Sequence, residues 1–242
     1  TALSGLAEDL NTLYSSSGVT GLGNESLTIS DTDTAKASDI ASVISANSGG
    51  TLNGNSITKL TGSFADIKTV FTSSSVTIGT SVALDLSEEV SSTSRTTGTL
   101  TKIADIATLE TYTNAVIEAE IEETEIVKLK NISNVYENNI YKITCSDTSP
   151  NISDLKIIYG KNPSGTIDIT NASTLNCTNA SDALFVYNQL TLGDTLMFSG
   201  TGNENINIAE SLTVSATNRY SSTNINDFLV EGGGQGYKVN DR

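Results

Sequence analysis

The 242-residue chain has no histidine and no tryptophan, one methionine, two prolines and two cysteines. Each shortage removes a class of function. Without histidine, neither a Ser–His–Asp nor a Cys–His hydrolytic arrangement can be built, and a Cys/His zinc site is excluded. A two-carboxylate glycosidase or a Ser–Lys pair stays open in principle. Clefts of the glycosidase kind are rich in aromatic residues, however, and aromatics are only 5% of this chain. The sequence therefore predicts a protein that is not an enzyme. Basic residues are also scarce: 13 Lys and Arg face 28 Asp and Glu, for a net charge of −15. A nucleic-acid backbone requires a basic patch, so nucleic acid is not an expected partner. No apolar run approaches the roughly 18 residues of a membrane-spanning helix, so no membrane span is expected.

The two cysteines, Cys145 and Cys177, leave two readings open. They form a disulfide if their Cα atoms come within about 4.4–6.8 Å, or they are two lone buried thiols.

What is present in abundance is hydroxyl. The chain has 34 Thr and 32 Ser, more than a quarter of its residues, against 37% hydrophobic residues. That balance suits polar-faced strands and turns better than a thick core. Such a chain folds if each repeated unit buries a narrow stripe against its neighbours. The acidic charge keeps it soluble and attracts cations.

A duplication organises the first half. Leu3 to Thr20, LSGLAEDLNTLYSSSGVT, recurs 57 positions on as LTGSFADIKTVFTSSSVT from Leu60 to Thr77. Self-similarity of this kind marks a repeat architecture. Within the unit, Leu6, Leu10 and Leu13 fall on one face of a short helix. Asp9 sits in its first turn, where a carboxylate complements the helix dipole, and Gly18 is the expected left-handed stop. The pattern of small or polar residue, Asp, then apolar residue returns around Asp39, Asp66, Asp105, Asp154 and Asp182, with a last echo at Asp227. Asp39 to Asp66 is 27 residues and Asp154 to Asp182 is 28, which predicts a half-unit of about 28 residues with insertions. Each of these Asp residues reads as a helix-start residue rather than as part of a carboxylate array.

The organisation that follows is a helix/strand repeat region at 1–120, with copies at 1–58 and 59–120. A mainly β region at 121–231 comes next, including Glu125 to Lys130 as a strand, then a Gly-rich turn at 232–242. The predicted class is α+β and β-rich: short helices and strands stacked as an elongated rod. A start at Thr1-Ala-Leu without Met or signal peptide, and an end that reads as a strand beginning, suggest a piece of a longer polypeptide.

Residues 13–31, LYSSSGVTGLGNESLTISD, resemble a repeat of very long, Ser/Thr-rich bacterial surface and secreted structural proteins of aquatic, cyanobacterial type. Ile57-Thr-Lys-Leu-Thr-Gly with Phe64-Ala-Asp-Ile resembles the junction between such repeats. Gly234-Gln-Gly-Tyr-Lys-Val-Asn-Asp is similar to a motif of surface proteins and phage fibres. The resemblance implies an extracellular or cell-surface location and a structural role as filament, sheath, surface layer or adhesin stalk. It implies no catalytic residues.

One chemical site remains to be considered. Asp31 and Asp33, with Glu118, Glu120 and Glu122, are candidate ligands for Ca²⁺, a hard cation that takes oxygen ligands. No EF-hand or Gly-Gly-x-Gly-x-Asp spacing accompanies them, and a solvated acidic face explains them equally. The expected function is a self-assembling building block whose partners are copies of itself. The alternatives are a phage tail fibre or virion appendage, and an adhesin module that binds cell-surface glycans.

Overall fold

The computed structural model describes residues 2–86, 100–133, 135, 138–176, 180–192 and 197–199. Cys177, the echo at Asp227, the Gly-rich turn and residues 87–99 lie outside the described residues.

Helices and strands alternate along the chain. The order is β1 (Ala2–Gly5), α1 (Ala7–Ser15), β2 (Ser26–Ile29), β3 (Thr34–Lys36), α2 (Ala37–Ala46), β4 (Thr51–Asn53), β5 (Lys59–Thr61), α3 (Phe64–Thr72), β6 (Val76–Thr77) and β7 (Ala83–Asp85). Then come α4 (Ile103–Leu109), β8 (Ile117–Glu120), α5 (Ile126–Leu129), β9 (Ile140–Thr144), α6 (Ile152–Lys161), β10 (Thr166–Ile169), β11 (Thr174–Asn176), α7 (Ala180–Gln189), β12 (Thr191–Leu192) and β13 (Met197–Ser199). The strands pair in parallel. Parallel neighbours need a crossover, and the helices supply it. The fold is therefore mixed α/β with parallel sheets, not α+β with its elements segregated.

The chain divides into two compact units. The first holds Thr1–Glu123, Asn131–Ile143 and Lys161–Gly165; the second holds Thr124–Lys130, Thr144–Gly160 and the residues from Thr166 onward.

In the first unit, one sheet runs β1-β2-β4-β6 and a second includes β3-β5-β7-β8-β9 in that order. Register fixes the repeat length. Ala2 lies opposite Ser26, Ser26 opposite Thr51 and Leu52 opposite Val76, while Thr34 lies opposite Lys59 and Lys59 opposite Ala83. Each of these steps advances 24 or 25 residues, shorter than the 28 expected from the Asp spacing, but β7 to β8 advances 33 (Leu84 opposite Ile117) and β8 to β9 advances 22 (Glu118 opposite Ile140). The step follows the length of helix and turn between paired strands, which varies from round to round. Side chains alternate across the first sheet, with Leu27, Ile29 and Leu52 buried and Ser26, Thr28, Thr51, Asn53 and Thr77 outward. Helix α1 packs on α2 and α2 on α3, burying Leu10, Ile40, Val43, Ile67 and Val70 between helices and sheets.

In the second unit, β10 pairs with β12 and β11 with β13. It also contains α5, α7 and nearly all of α6. The described part of 121–231 is thus mixed rather than mainly β, and Glu125 to Lys130 forms α5 instead of a strand. Its β-branched residues favour a strand locally, but a carboxylate from elsewhere in the chain caps Ile126. Gly18 is not the left-handed helix stop either. Ser16 ends α1 in an extended conformation, and the positive φ angles fall at Gly21, Gly23 and Gly62.

Candidate functional site

The recurrent Asp residues share one place. Asp9, Asp39, Asp66, Asp105, Asp154 and Asp182 are each the third residue of their helix. There they face the positive end of the helix dipole. Several also tie one helix to the next. Asn11 Nδ2 on α1 donates to Asp39 on α2 at 2.7 Å. Lys130, which caps α5, pairs with Asp154 on α6 at 3.0 Å, and Lys156 on α6 pairs with Asp182 on α7 at 2.5 Å.

A second set of carboxylates caps helices from the following round. The Asp31 carboxylate accepts the N–H of Ala7, the first residue of α1, at 2.8 Å. Glu123 does the same for Ile103, the first residue of α4, at 3.0 Å. Asp147 does it for Ile126, the first residue of α5, at 2.8 Å. The first N–H groups of a helix have no partner inside it. Here the turn that follows a strand of the next round provides one, in the shared sequence Asp/Glu-Thr.

Of the candidate calcium ligands, two use their carboxylates on protein partners and three are placed by their main chain. Asp31 is a cap. The Asp33 main-chain carbonyl accepts the N–H groups of Thr58 and Lys59. Glu120 pairs with Lys142 at 3.1 Å. Glu118 faces Asp85 and Ile140 in the ladder, and the Glu122 N–H donates to Thr101. Among the described residues, no group of three or more Asp, Glu or Cys stands ready to hold a metal ion.

Two asparagines act in a way the sequence did not announce. Asn47 accepts the main-chain N–H of Glu25 and donates to its carbonyl, both at 2.9 Å. Asn162 does the same to Tyr141, again at 2.9 Å for both bonds. Each is buried and mimics a strand neighbour by satisfying two backbone groups with one side chain. Each is followed three residues later by a glycine, Gly50 or Gly165. A Cβ at either glycine would collide with that asparagine and with the carbonyl it grips. The Asn-x-x-Gly spacing was the only sequence signal, and it also reads as an ordinary turn.

The buried acids are engaged. The Glu25 carboxylate accepts the N–H groups of Gly23 and Asn24 and the hydroxyl of Tyr14, at 2.8, 3.1 and 2.7 Å. These bonds, that of Gly23 foremost, hold it below the ordinary glutamate value, while burial and the carboxylate push the Tyr14 hydroxyl up. Glu110 accepts from Ser133 and from Asn139, and Asn139 also donates to the Tyr141 hydroxyl. Burial, with the Glu110 charge, raises the Tyr141 hydroxyl. Asp85 pairs with Lys59 at 2.7 Å.

Cys145 is a buried free thiol whose pKa burial pushes up to about 11. It stays protonated at neutral pH and is a poor nucleophile.

Comparison with known proteins gives no match: no family model, no curated protein and no solved structure corresponds to this chain. No helix among the described residues is long and apolar enough to cross a membrane.

Proposed function

We propose that the chain is a non-enzymatic structural building block, its helix-and-strand rounds stacked as a rod, that assembles with copies of itself into an extracellular filament, sheath or surface layer. The observation that carries this reading is the way rounds complete one another. Asp31, Glu123 and Asp147 close helix ends of the round before, and Asn47 closes the backbone at Glu25 one round earlier. A round of this kind is finished only by a neighbour, the property that lets repeat arrays extend. The Asp31 and Glu120 carboxylates are engaged by the protein itself, and this reading gives the contact between copies to the rounds rather than to a cation. The resemblance of residues 13–31 to bacterial surface-protein repeats supports an extracellular setting.

Negative-stain electron microscopy of the purified chain, with and without EDTA, tests the reading. Filaments or a lattice in both conditions are the expected result. Uniform single particles at every concentration would overturn it in favour of a glycan-binding module or a virion fibre of fixed stoichiometry. Loss of assembly in EDTA would restore the acidic residues as cation ligands.

A further inference from the structure

The helices of the second unit carry large apolar residues on their outer face. Helices α5, α6 and α7 lie side by side. Lys130, just past α5, pairs with Asp154 on α6 at 3.0 Å, and Lys156 on α6 pairs with Asp182 on α7 at 2.5 Å. Tyr159 on α6 meets the ring of Phe185 on α7 edge-on, with centroids 5.5 Å apart. Leu129, Leu155, Ile158 and Val186 turn inward and are fully buried. At 3.6 residues per turn, Val127, Ile157 and Leu184 fall on the opposite side of those helices. They are 62%, 47% and 42% exposed.

A neighbouring round does not cover this face. Helix α6 has α5 on one side and α7 on the other, and Ile157 is exposed all the same. The face also differs from its counterpart in the first unit. There the outward positions of α1, α2 and α3 hold Glu8, Thr12, Ser38, Ser42, Lys68 and Thr69, all exposed and none apolar. Charge differs in the same way. Helices α1 to α4 carry five acids against one lysine. Around α5–α7, Lys128 pairs with Glu125 beside Val127 at 2.9 Å. With the Lys130–Asp154 and Lys156–Asp182 pairs, three lysines and three acids cancel.

We infer that the outer face of α5–α7, centred on Val127, Ile157 and Leu184, docks on the same face of a second copy of this chain. This rests on the self-assembly reading and gives it a surface. A chain of net charge −15 repels its own copy, and that repulsion is least where two faces of balanced charge meet. Apolar side chains grouped on one face and rimmed by charged groups are the anatomy of a protein–protein contact. About a two-fold axis, the apolar residues of each copy cover those of the other, and the Glu125–Lys128 pairs lie at the rim. Such a contact is isologous and closes on itself. It joins copies in pairs and leaves extension of the assembly to the rounds.

Sedimentation velocity of the full chain across a concentration series reads the outcome. The wild type should self-associate. Ile157→Glu and Ile157→Lys should each lower the association constant about tenfold or more, because each buries an unpaired charge between the copies. Circular dichroism should stay unchanged, since the position is exposed in the single chain. Mixing the two variants should recover most of the loss, because opposite charges then share one contact. Leu184→Glu should weaken association as Ile157→Glu does, while Ser42→Glu on the outer face of α2 should leave it unchanged. If the wild type assembles and the variants on α6 and α7 assemble equally well, the self-assembly reading stands and this face falls. If those variants are weakened and the mixture recovers nothing, the face meets a different surface and the two-fold contact falls. A wild type that is monomeric throughout overturns the face and the reading together.

Discussion

One sequence motif folds twice in this molecule, and its two copies solve the same problems differently. In the second copy the helix cap is local: the Asp66 N–H donates to the Ser63 hydroxyl, which donates to the Asp66 carboxylate, a serine N-cap. In the first copy Leu6 stands where Ser63 stands and makes no side-chain cap, and Asp31 supplies it from the next round. In the first copy Tyr14 bonds Glu25. In the second, the same two positions are Phe71 and Val82, and Phe71 stacks on Tyr112 with ring centres 5.2 Å apart. The hydroxyl and the carboxylate are both absent there, and Phe71 takes a ring as its neighbour instead. The comparison teaches that the motif fixes the strand–helix form, while each round's neighbours decide how the form is closed.

Four experiments sharpen that contrast, beginning with the core. Leu60→Ala should cost about 2–5 kcal/mol, the range for truncating a fully buried leucine, and Leu3→Ala roughly 1 kcal/mol or less because it is already half-wet. Urea denaturation of the two variants measures the gap, and equal losses would erase the distinction between the copies. Next, Thr61→Pro removes a ladder bond to β3 and should cost about 1–3 kcal/mol. Ser4→Pro should leave the isolated chain's urea midpoint unmoved.

Third, Ser63→Ala should cost about 1 kcal/mol, as cap removals do. Asp31→Ala should cost a similar amount although it lies 24 residues from the helix start it closes. If Asp31 were a calcium ligand instead, the wild type would gain stability with added Ca²⁺ and Asp31→Ala would lose that gain. The cap account predicts the same midpoint with and without Ca²⁺ for both proteins. The smallest effect is acid sensitivity. Glu25 ionises below its ordinary value of 4.5. Its contribution to stability is therefore present above that value and is lost as pH falls through the lower, folded one. Tyr14→Phe removes a donor to the carboxylate, raises its pKa toward the ordinary value, and should move the onset of acid unfolding to higher pH in a titration followed by circular dichroism.

Much of the local structure was legible before any fold was known. The helices beginning near Asp9, Asp39, Asp66, Asp105, Asp154 and Asp182 announce themselves by an acidic third residue and apolar spacing, because those are properties of one turn of helix. What could not be read is what one round does to the next. The 24- or 25-residue step of the first rounds is a property of backbone pairing, and the Asp spacing does not report it. The residues of α5 favour a strand on their own, but Asp147, 21 positions on, caps Ile126 and makes them a helix. Asp31 reads as a cation ligand in sequence because its charge is visible there and the orphan N–H of Ala7 that it satisfies is not; Glu123 hides the same role toward Ile103. Asn47 and Asn162 look like turn residues for the same reason.

The claim that one round is closed by the next can be measured directly by amide hydrogen exchange at Ala7. The account predicts protection of the Ala7 N–H in the wild type and its loss in Asp31→Ala, with the Ile67 amide on α3 unchanged in both. Equal protection of Ala7 in the two proteins would contradict it.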